Sequence, residues 1–267
     1  MTRLVGRGRT AEVYDHDDGQ VLKLFHGFVD AASVEGEFAK ARFARANRIS
    51  TPAALSLVQR DDRLGIVYQK VAGRSLLDAL KRRPLGMRGI ARQMACLHRS
   101  VHAVEGAPEL ASQKQVLCDA IRQAAGLDAR SKQTVIDYTM TLPDGQALCH
   151  GDFHPDNILV DAGLWVIDWM TGVRGHPACD VARTAMLLEC ADIPGDMPVL
   201  VRRLMGRMQA WLAHTYLREY LRPGGLSAAE VAQWRLPNDA ARLAERLGPN
   251  ERRVMLARID AAMQAVR

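Results

Sequence analysis

Three oxygen-bearing side chains, Asp152, Asn157 and Asp168, are spaced through HGDFHPDNILV (residues 150–160) and the IDW that follows it. Ionisable groups set so close to apolar, strand-like runs are costly to bury and call for a chemical purpose. Transfer of a phosphoryl group from ATP needs such a set. One carboxylate orients the attacking hydroxyl and accepts its proton, and hard oxygen ligands hold the magnesium that bridges the phosphates. Asp152 suits the first task; Asn157 and Asp168 suit the second. A tight loop presents Asp152, one further turn offers Asn157, and a hairpin through NILVDAGLWVID is expected to return Asp168 to face Asn157. His150 and His154 read as scaffold residues that hold the loop by hydrogen bonds.

The elements that must position these residues change character near residue 72. Before it the chain shows β-type runs (RLVG, AEVYDH, QVLKLF, ALSLVQ, RLGIVYQKV), turn signals at DDG (17–19) and RDD (60–62), and one helix from about Val29 to Asn47. After it the pattern is helical: SLLDALKRR, GIARQMACLHRSVHAV, two amphipathic stretches between Ser112 and Met140, and most of 178–267. Only a strand pair around NILV and LWVID is expected to interrupt the helices. The fold class is therefore α+β with two lobes: a small antiparallel β lobe with one helix over 1–72, and a larger, mainly helical lobe over 73–267. A short link near Gln69 to Gly73 joins them.

Two features of the first lobe add to this reading. GRGRTAEV, Gly6 to Val13, follows G-x-G-x-x-G-x-V with Ala11 at the third glycine position, and it precedes a strand as a phosphate-covering loop does. Backbone amides around Gly6 and Gly8 can approach phosphate oxygens closely. In the next strand Lys23 stands among apolar neighbours, where an isolated ammonium is expensive, so it needs an anionic partner. The helix that follows offers Glu35 and Glu37.

HGDFHPDNILV…VIDW resembles the signature of the aminoglycoside phosphotransferase and choline kinase-like branch of the protein-kinase fold. Gly151 and Trp169 stand where eukaryotic-type protein kinases have Arg and Phe. The resemblance runs from Gly6 to about Leu188. It implies a two-lobed protein-kinase-like fold and ATP and magnesium as cofactors. It also implies Lys23 on the ATP phosphates, paired with a helix glutamate, for which Glu37 is in better register than Glu35. The segment IVYQKVAG occupies the place where such kinases bind adenine, which points to the carbonyl of Gln69 and the N–H of Val71. GHPACDVART resembles the family's G-x-P-x-x-D segment, with Asp180 accepting backbone hydrogen bonds from the catalytic loop.

The activity implied is transfer of the γ-phosphoryl group to a hydroxyl of a small molecule: a sugar, amino sugar, amino alcohol or antibiotic. A small atypical protein kinase and a catalytically silent nucleotide-binding regulator are the alternatives. No obvious activation segment lies between Asp168 and Asp180, which disfavours the first. Lys23, Asp152, Asn157 and Asp168 are all present, which disfavours the second.

Composition bounds the rest. A chain of 267 residues, 48% hydrophobic, can bury one large core or two modest lobes. The net charge of +6 includes no run of five like charges, so no nucleic-acid partner is expected. Five cysteines without a C-x-x-C pair indicate free thiols in a reducing compartment, the cytoplasm. No apolar leader and no long apolar window are visible, so neither export nor a membrane partner is expected.

His98 and His102 have the i, i+4 spacing of a zinc-binding helix. With no evident third ligand they read as structural histidines. Arg174 is left between a surface ion pair and a contact with phosphate or substrate. From Asp196 to Arg267, 12 Arg stand against 7 Asp or Glu, a net +5 read as solvated helix faces. Such a basic lobe argues against a polycationic aminoglycoside as acceptor.

Overall fold

The computed structural model describes residues 3–82, 86–190 and 197–266. Its first part is an antiparallel sheet of β1 (Leu4–Arg7), β2 (Ala11–Asp15), β3 (Gln20–Phe25), β4 (Ala54–Arg60) and β5 (Arg63–Gln69), in the order β1-β2-β3-β5-β4. Asp61 and Asp62, which join β4 to β5, both take positive φ (49° and 58°). That pair of conformations belongs to a two-residue hairpin turn whose twist matches that of the strands. Alternation along β3 puts Leu22 and Leu24 into a cluster with Val67, packed against Tyr14 and Val58. Lys23 therefore points to the opposite face.

Between β3 and β4 runs α1 (Ala31–Ala46), capped by Asp30, whose carboxylate accepts the Ser33 N–H at 2.8 Å. A cap of this kind contributes about 1 kcal/mol. The buried residues of α1 are Val34, Glu37, Ala41 and Ala44, one helical stripe with a single charge in it.

The chain continues through β6 (Arg74–Ser75), α2 (Leu76–Arg82), α3 (Met87–His102), α4 (Gln113–Gln123), α5 (Ala129–Thr141), β7 (Ala147–Cys149), β8 (Ile158–Val160), β9 (Leu164–Val166) and β10 (Val173–Gly175). Then follow α6 (Pro177–Cys190), α7 (Val199–Leu221), α8 (Ala228–Gln233), α9 (Arg235–Arg242) and α10 (Pro249–Val266). This is the α+β layout expected from the sequence: an N-terminal antiparallel sheet with one long helix, and a mainly helical remainder.

By packing, the chain divides into two compact units: Met1–Arg83 with Pro155–Gly172, and Pro84–His154 with Val173–Arg267. The division drawn from sequence, 1–72 and 73–267, differs from this for a physical reason. β6 pairs with β8, and β8 with β9, making a second sheet within the first unit. The Gly73 backbone lies so close to β8 that a Cβ there would meet the Val160 carbonyl oxygen at 2.0 Å, so only glycine fits. The hairpin of NILV and LWV therefore belongs with the β-rich unit and does not interrupt the helical one. A strand pair does occur in the helical unit, one the sequence reading omitted: β7 with β10, in the register Cys149↔Val173.

In the second unit α3 packs on α7, α7 on α6, and α4 on α9. Small buried residues, Ala91 and Ala95 on α3 and Ala182 and Ala185 on α6, line these helices. The arginines beyond residue 196 are not all solvated. Arg235 grips Glu189 with both arms, at 2.8 and 2.6 Å, and Arg258 reaches the same carboxylate at 3.0 Å. Arg242 is buried between Glu245 and Glu251. The planar guanidinium fork suits such carboxylate pairing between helices. All five cysteines are free. Among the described residues no helix is long and apolar enough to cross a membrane.

Candidate active site

In the first unit the alternation of β3 and the stripe of α1 bring opposite charges together. Lys23 Nζ donates to Glu37 Oε1 at 2.6 Å and to Asp168 Oδ1 at 3.0 Å. Glu35 is exposed, off the buried stripe of α1. The Tyr68 hydroxyl donates to the same Glu37 oxygen at 3.0 Å, and Lys23 Nζ lies 5.0 Å from the centre of the Phe25 ring. Burial opposes the charge on Lys23, but Glu37 and Asp168 outweigh it and hold its pKa above the ordinary value. Burial and the Glu37 charge push the Tyr68 phenol well up, so it remains a donor.

Asn157 closes a single 3-10 turn, Pro155–Asn157, and is buried. Its carbonyl accepts the N–H of Ile167 at 3.0 Å, one step beyond the hairpin pair Ile158↔Val166. The chain thus returns immediately before Asp168. Asp168 itself has φ +66°, a left-handed conformation uncommon for a residue other than glycine and costing roughly 1–2 kcal/mol. Such strain persists where the surroundings fix it. Here Trp169 Nε1 donates to Thr51 Oγ1 at 3.0 Å and Lys40 Nζ to the Met170 carbonyl at 2.7 Å, anchoring the residues that follow.

Gly6 lies in β1, opposite Val13, and Gly8 opens the turn from β1 to β2, where its N–H donates to the Ala11 carbonyl at 2.8 Å. A Cβ at Gly6 would come no nearer than 3.7 Å to Val13, and one at Gly8 no nearer than 3.5 Å to Ala11, both ordinary contacts. The packing of the chain itself does not demand glycine at either place. Gln69 ends β5, its N–H donating to the Ala53 carbonyl at 2.9 Å, and Val71 follows, half-buried.

In the second unit the loop after β7 carries Asp152. The N–H groups of His150 and Gly151 donate to Asp180 Oδ2 and Oδ1 at 2.6 and 3.0 Å. Gly151 has φ +77°, and its carbonyl accepts from Arg183 Nε at 2.5 Å. His154 Nε2 lies 3.4 Å from Asp152 Oδ2. Burial works against ionisation of Asp152, but His154, then Arg183 and His150, outweigh it and hold the carboxyl well below its usual range. Asp152 is thus a carboxylate at neutral pH.

Asp180 is also the third group that the sequence reading of His98 and His102 did not find. Its Oδ2 lies 3.1 Å from His98 Nε2 and 3.2 Å from His102 Nε2. The other ring nitrogens face tyrosines on α7: His98 Nδ1 is 2.7 Å from the Tyr216 hydroxyl and His102 Nδ1 is 2.6 Å from that of Tyr220. The three ligand-type atoms lie within 4.8 Å of one another, but the carboxylate already accepts two backbone N–H groups, and the distances are those of hydrogen bonds. Burial, with His102 nearby, pushes His98 down to about 3, so its ring is neutral and donates from Nε2 to Asp180. Phe153 stacks on the same ring, centroids 4.0 Å apart. Arg174 forms no ion pair among the described residues; its side chain covers Gly106 and lines a small cleft with Ser112, Lys114 and Trp234.

Comparison with proteins of known structure gives the fold a name. An aminoglycoside-3'-phosphotransferase of type VIII is 20% identical, with 90% of this chain and 93% of that one covered and a TM-score of 0.60. A choline/ethanolamine kinase family protein from Mesorhizobium loti is 18% identical, with 100% and 87% covered and a TM-score of 0.61. An aminoglycoside phosphotransferase from Streptomyces rimosus, in complex with ADP and streptomycin, is 16% identical, with 90% and 92% covered and a TM-score of 0.56. The fold is therefore the kinase-like one. No curated protein sequence matches the chain significantly. The family model described as the phosphotransferase enzyme family matches residues 2–220, most of the 267, and the chain belongs to that family.

Proposed function

We propose that the protein transfers the γ-phosphoryl group of magnesium-bound ATP to a hydroxyl of a small molecule. The observation that carries this is Lys23, kept charged between Glu37 and Asp168. A lysine so placed can steady phosphate oxygens, and an aspartate beside it can hold the metal they bridge. Asn157 and Asp168 offer the hard oxygen donors that magnesium prefers, on a hairpin that fixes their spacing. When bound, magnesium screens phosphate charge. Gly6 and Gly8, which internal packing does not require, put no side chain in the way of a phosphate approaching this turn. The Gln69 carbonyl and the Val71 N–H take the adenine edge.

Asp152 receives the acceptor hydroxyl. Its low proton affinity makes it chiefly an orienting group, to which the proton passes late, as suits a reaction governed by positioning. The acceptor we favour is neutral or singly charged. The stretch from Asp196 to Arg267 is net +5, and the carboxylates of Glu189, Glu219, Glu245 and Glu251 are engaged by arginines. Free thiols favour a reducing compartment, and we place the protein in the cytoplasm.

Calorimetric titration of Mg·ATP into the wild-type protein and Asp168→Ala tests the nucleotide site. Weaker binding that no longer responds to magnesium is the expected result. Equal affinity and equal magnesium dependence would remove Asp168 from the site.

A further inference from the structure

The geometry points to Arg183 as a positioning residue for the Asp152 loop, with Glu245 holding its guanidinium in place. This rests on Asp152 being the group that receives the acceptor hydroxyl. Arg183 Nε donates to the Gly151 carbonyl at 2.5 Å, and its Nη2 donates to Glu245 Oε1 at 2.7 Å. The carbonyl it holds belongs to the peptide that joins Gly151 to Asp152. Rotation of that peptide swings the carboxylate. Gly151 sits at φ +77°, a conformation that its neighbours must maintain.

One helix grips both polar groups of this glycine. Asp180 takes the N–H, and Arg183, three residues on along α6, binds the carbonyl. Phe153, on the far side of Asp152, is fully buried against His98. Asp152 is thus fixed on both flanks. The guanidinium also sits near enough to Asp152 to favour its ionised form.

The support behind Arg183 comes from the end of the chain. Glu245 pairs also with Arg242, and Arg242 Nε donates to Glu251 at 3.0 Å. These three residues lie beyond residue 220, where the family match stops. The carboxyl-terminal helices therefore brace the loop through a charged chain running Glu251, Arg242, Glu245, Arg183, Gly151.

The test uses the full chain with Arg183→Met, Arg183→Lys, Glu245→Gln and, as control, Asp152→Asn. Turnover of Mg·ATP is followed by released phosphate with water as acceptor, alongside calorimetric affinity for Mg·ATP and thermal melting. Arg183→Met is expected to lower kcat by about 100-fold while KM for ATP stays within about threefold, as misplacement of a reacting group does. Arg183→Lys should regain part of that loss, and Glu245→Gln should lower kcat by about tenfold. Wild-type kcat in folded Arg183→Met overturns the inference. Should Arg183→Met melt, Glu245→Gln decides, and a folded Glu245→Gln with unchanged kcat overturns it equally. Full turnover in Asp152→Asn sinks the assignment of Asp152 itself; loss there, with normal Arg183 and Glu245 variants, sinks only the role of Arg183.

Discussion

Lys23 and Asp168 stand 145 residues apart in the chain, and Nζ of one lies 3.0 Å from Oδ1 of the other. The contact exists because a strand alternation turns Lys23 toward α1 and a short hairpin brings the chain back at residue 167. With Glu37 on its other side, the ammonium is the centre of the first unit's charge cluster.

Removing that centre should be costly. Lys23→Met leaves Glu37 buried without its counter-charge, and urea unfolding should show a loss of roughly 3–5 kcal/mol. Adding Glu37→Gln should return part of that stability, since a neutral pair no longer buries a charge. Strictly additive losses would contradict the pairing. Affinity for Mg·ATP should fall in both variants, because neither can reach phosphate with a cation.

Asp239 on α9 sets a pH dependence. It is 4% exposed, one carboxylate oxygen lacks a hydrogen bond among the described residues, and burial raises its pKa from 3.8 to about 6, against the pull of Arg258 and Arg235. The folded state therefore holds this proton more tightly than the unfolded chain. Stability falls as pH rises from about 4 to 6 and the cost, about 3 kcal/mol, is constant above that range. Asp239→Asn should accordingly stabilise the protein at pH 8, with most of the gain gone at pH 4.5. Melting curves at the two pH values check this, and an equal gain at both would contradict it.

Charge also separates acceptor classes. A polycation bound by carboxylates loses affinity steeply as the Debye length shrinks from about 30 Å at 0.01 M salt to about 8 Å at 0.15 M. A neutral or singly charged acceptor does not. Phosphorylation of an aminoglycoside panel beside neutral sugars and amino alcohols, at both salt concentrations, should show aminoglycosides turned over poorly. A kcat/KM above about 10⁴ M⁻¹s⁻¹ for any of them would contradict the assignment of acceptor class.

The long periodic elements were legible in the sequence, and so was the need of Lys23 for an anion. Residue spacing in α1 also distinguishes the two glutamates, since Glu37 shares a stripe with Val34, Ala41 and Ala44 and Glu35 does not. The strands β6, β7 and β10 were missed because two or three residues carry no readable period. Asp180 lies 82 residues from His98 and 78 from His102, so sequence spacing gave no sign of their meeting. The paired arginines of α9 and α10 were misread as solvated because their carboxylates stand on other helices or another turn, and composition records charge without partners.

Transfer of label from γ-labelled ATP into a pool of metabolites and antibiotics bears most directly on the central claim, run with the wild-type protein and Asp152→Ala, in magnesium and in chelator. The expected result is a labelled small molecule formed only by the wild-type protein with magnesium, with Asp152→Ala slower by roughly 10²- to 10⁴-fold while its ATP binding stays within a few-fold. Labelled product at the same rate from Asp152→Ala, or formed equally well in chelator, would contradict it.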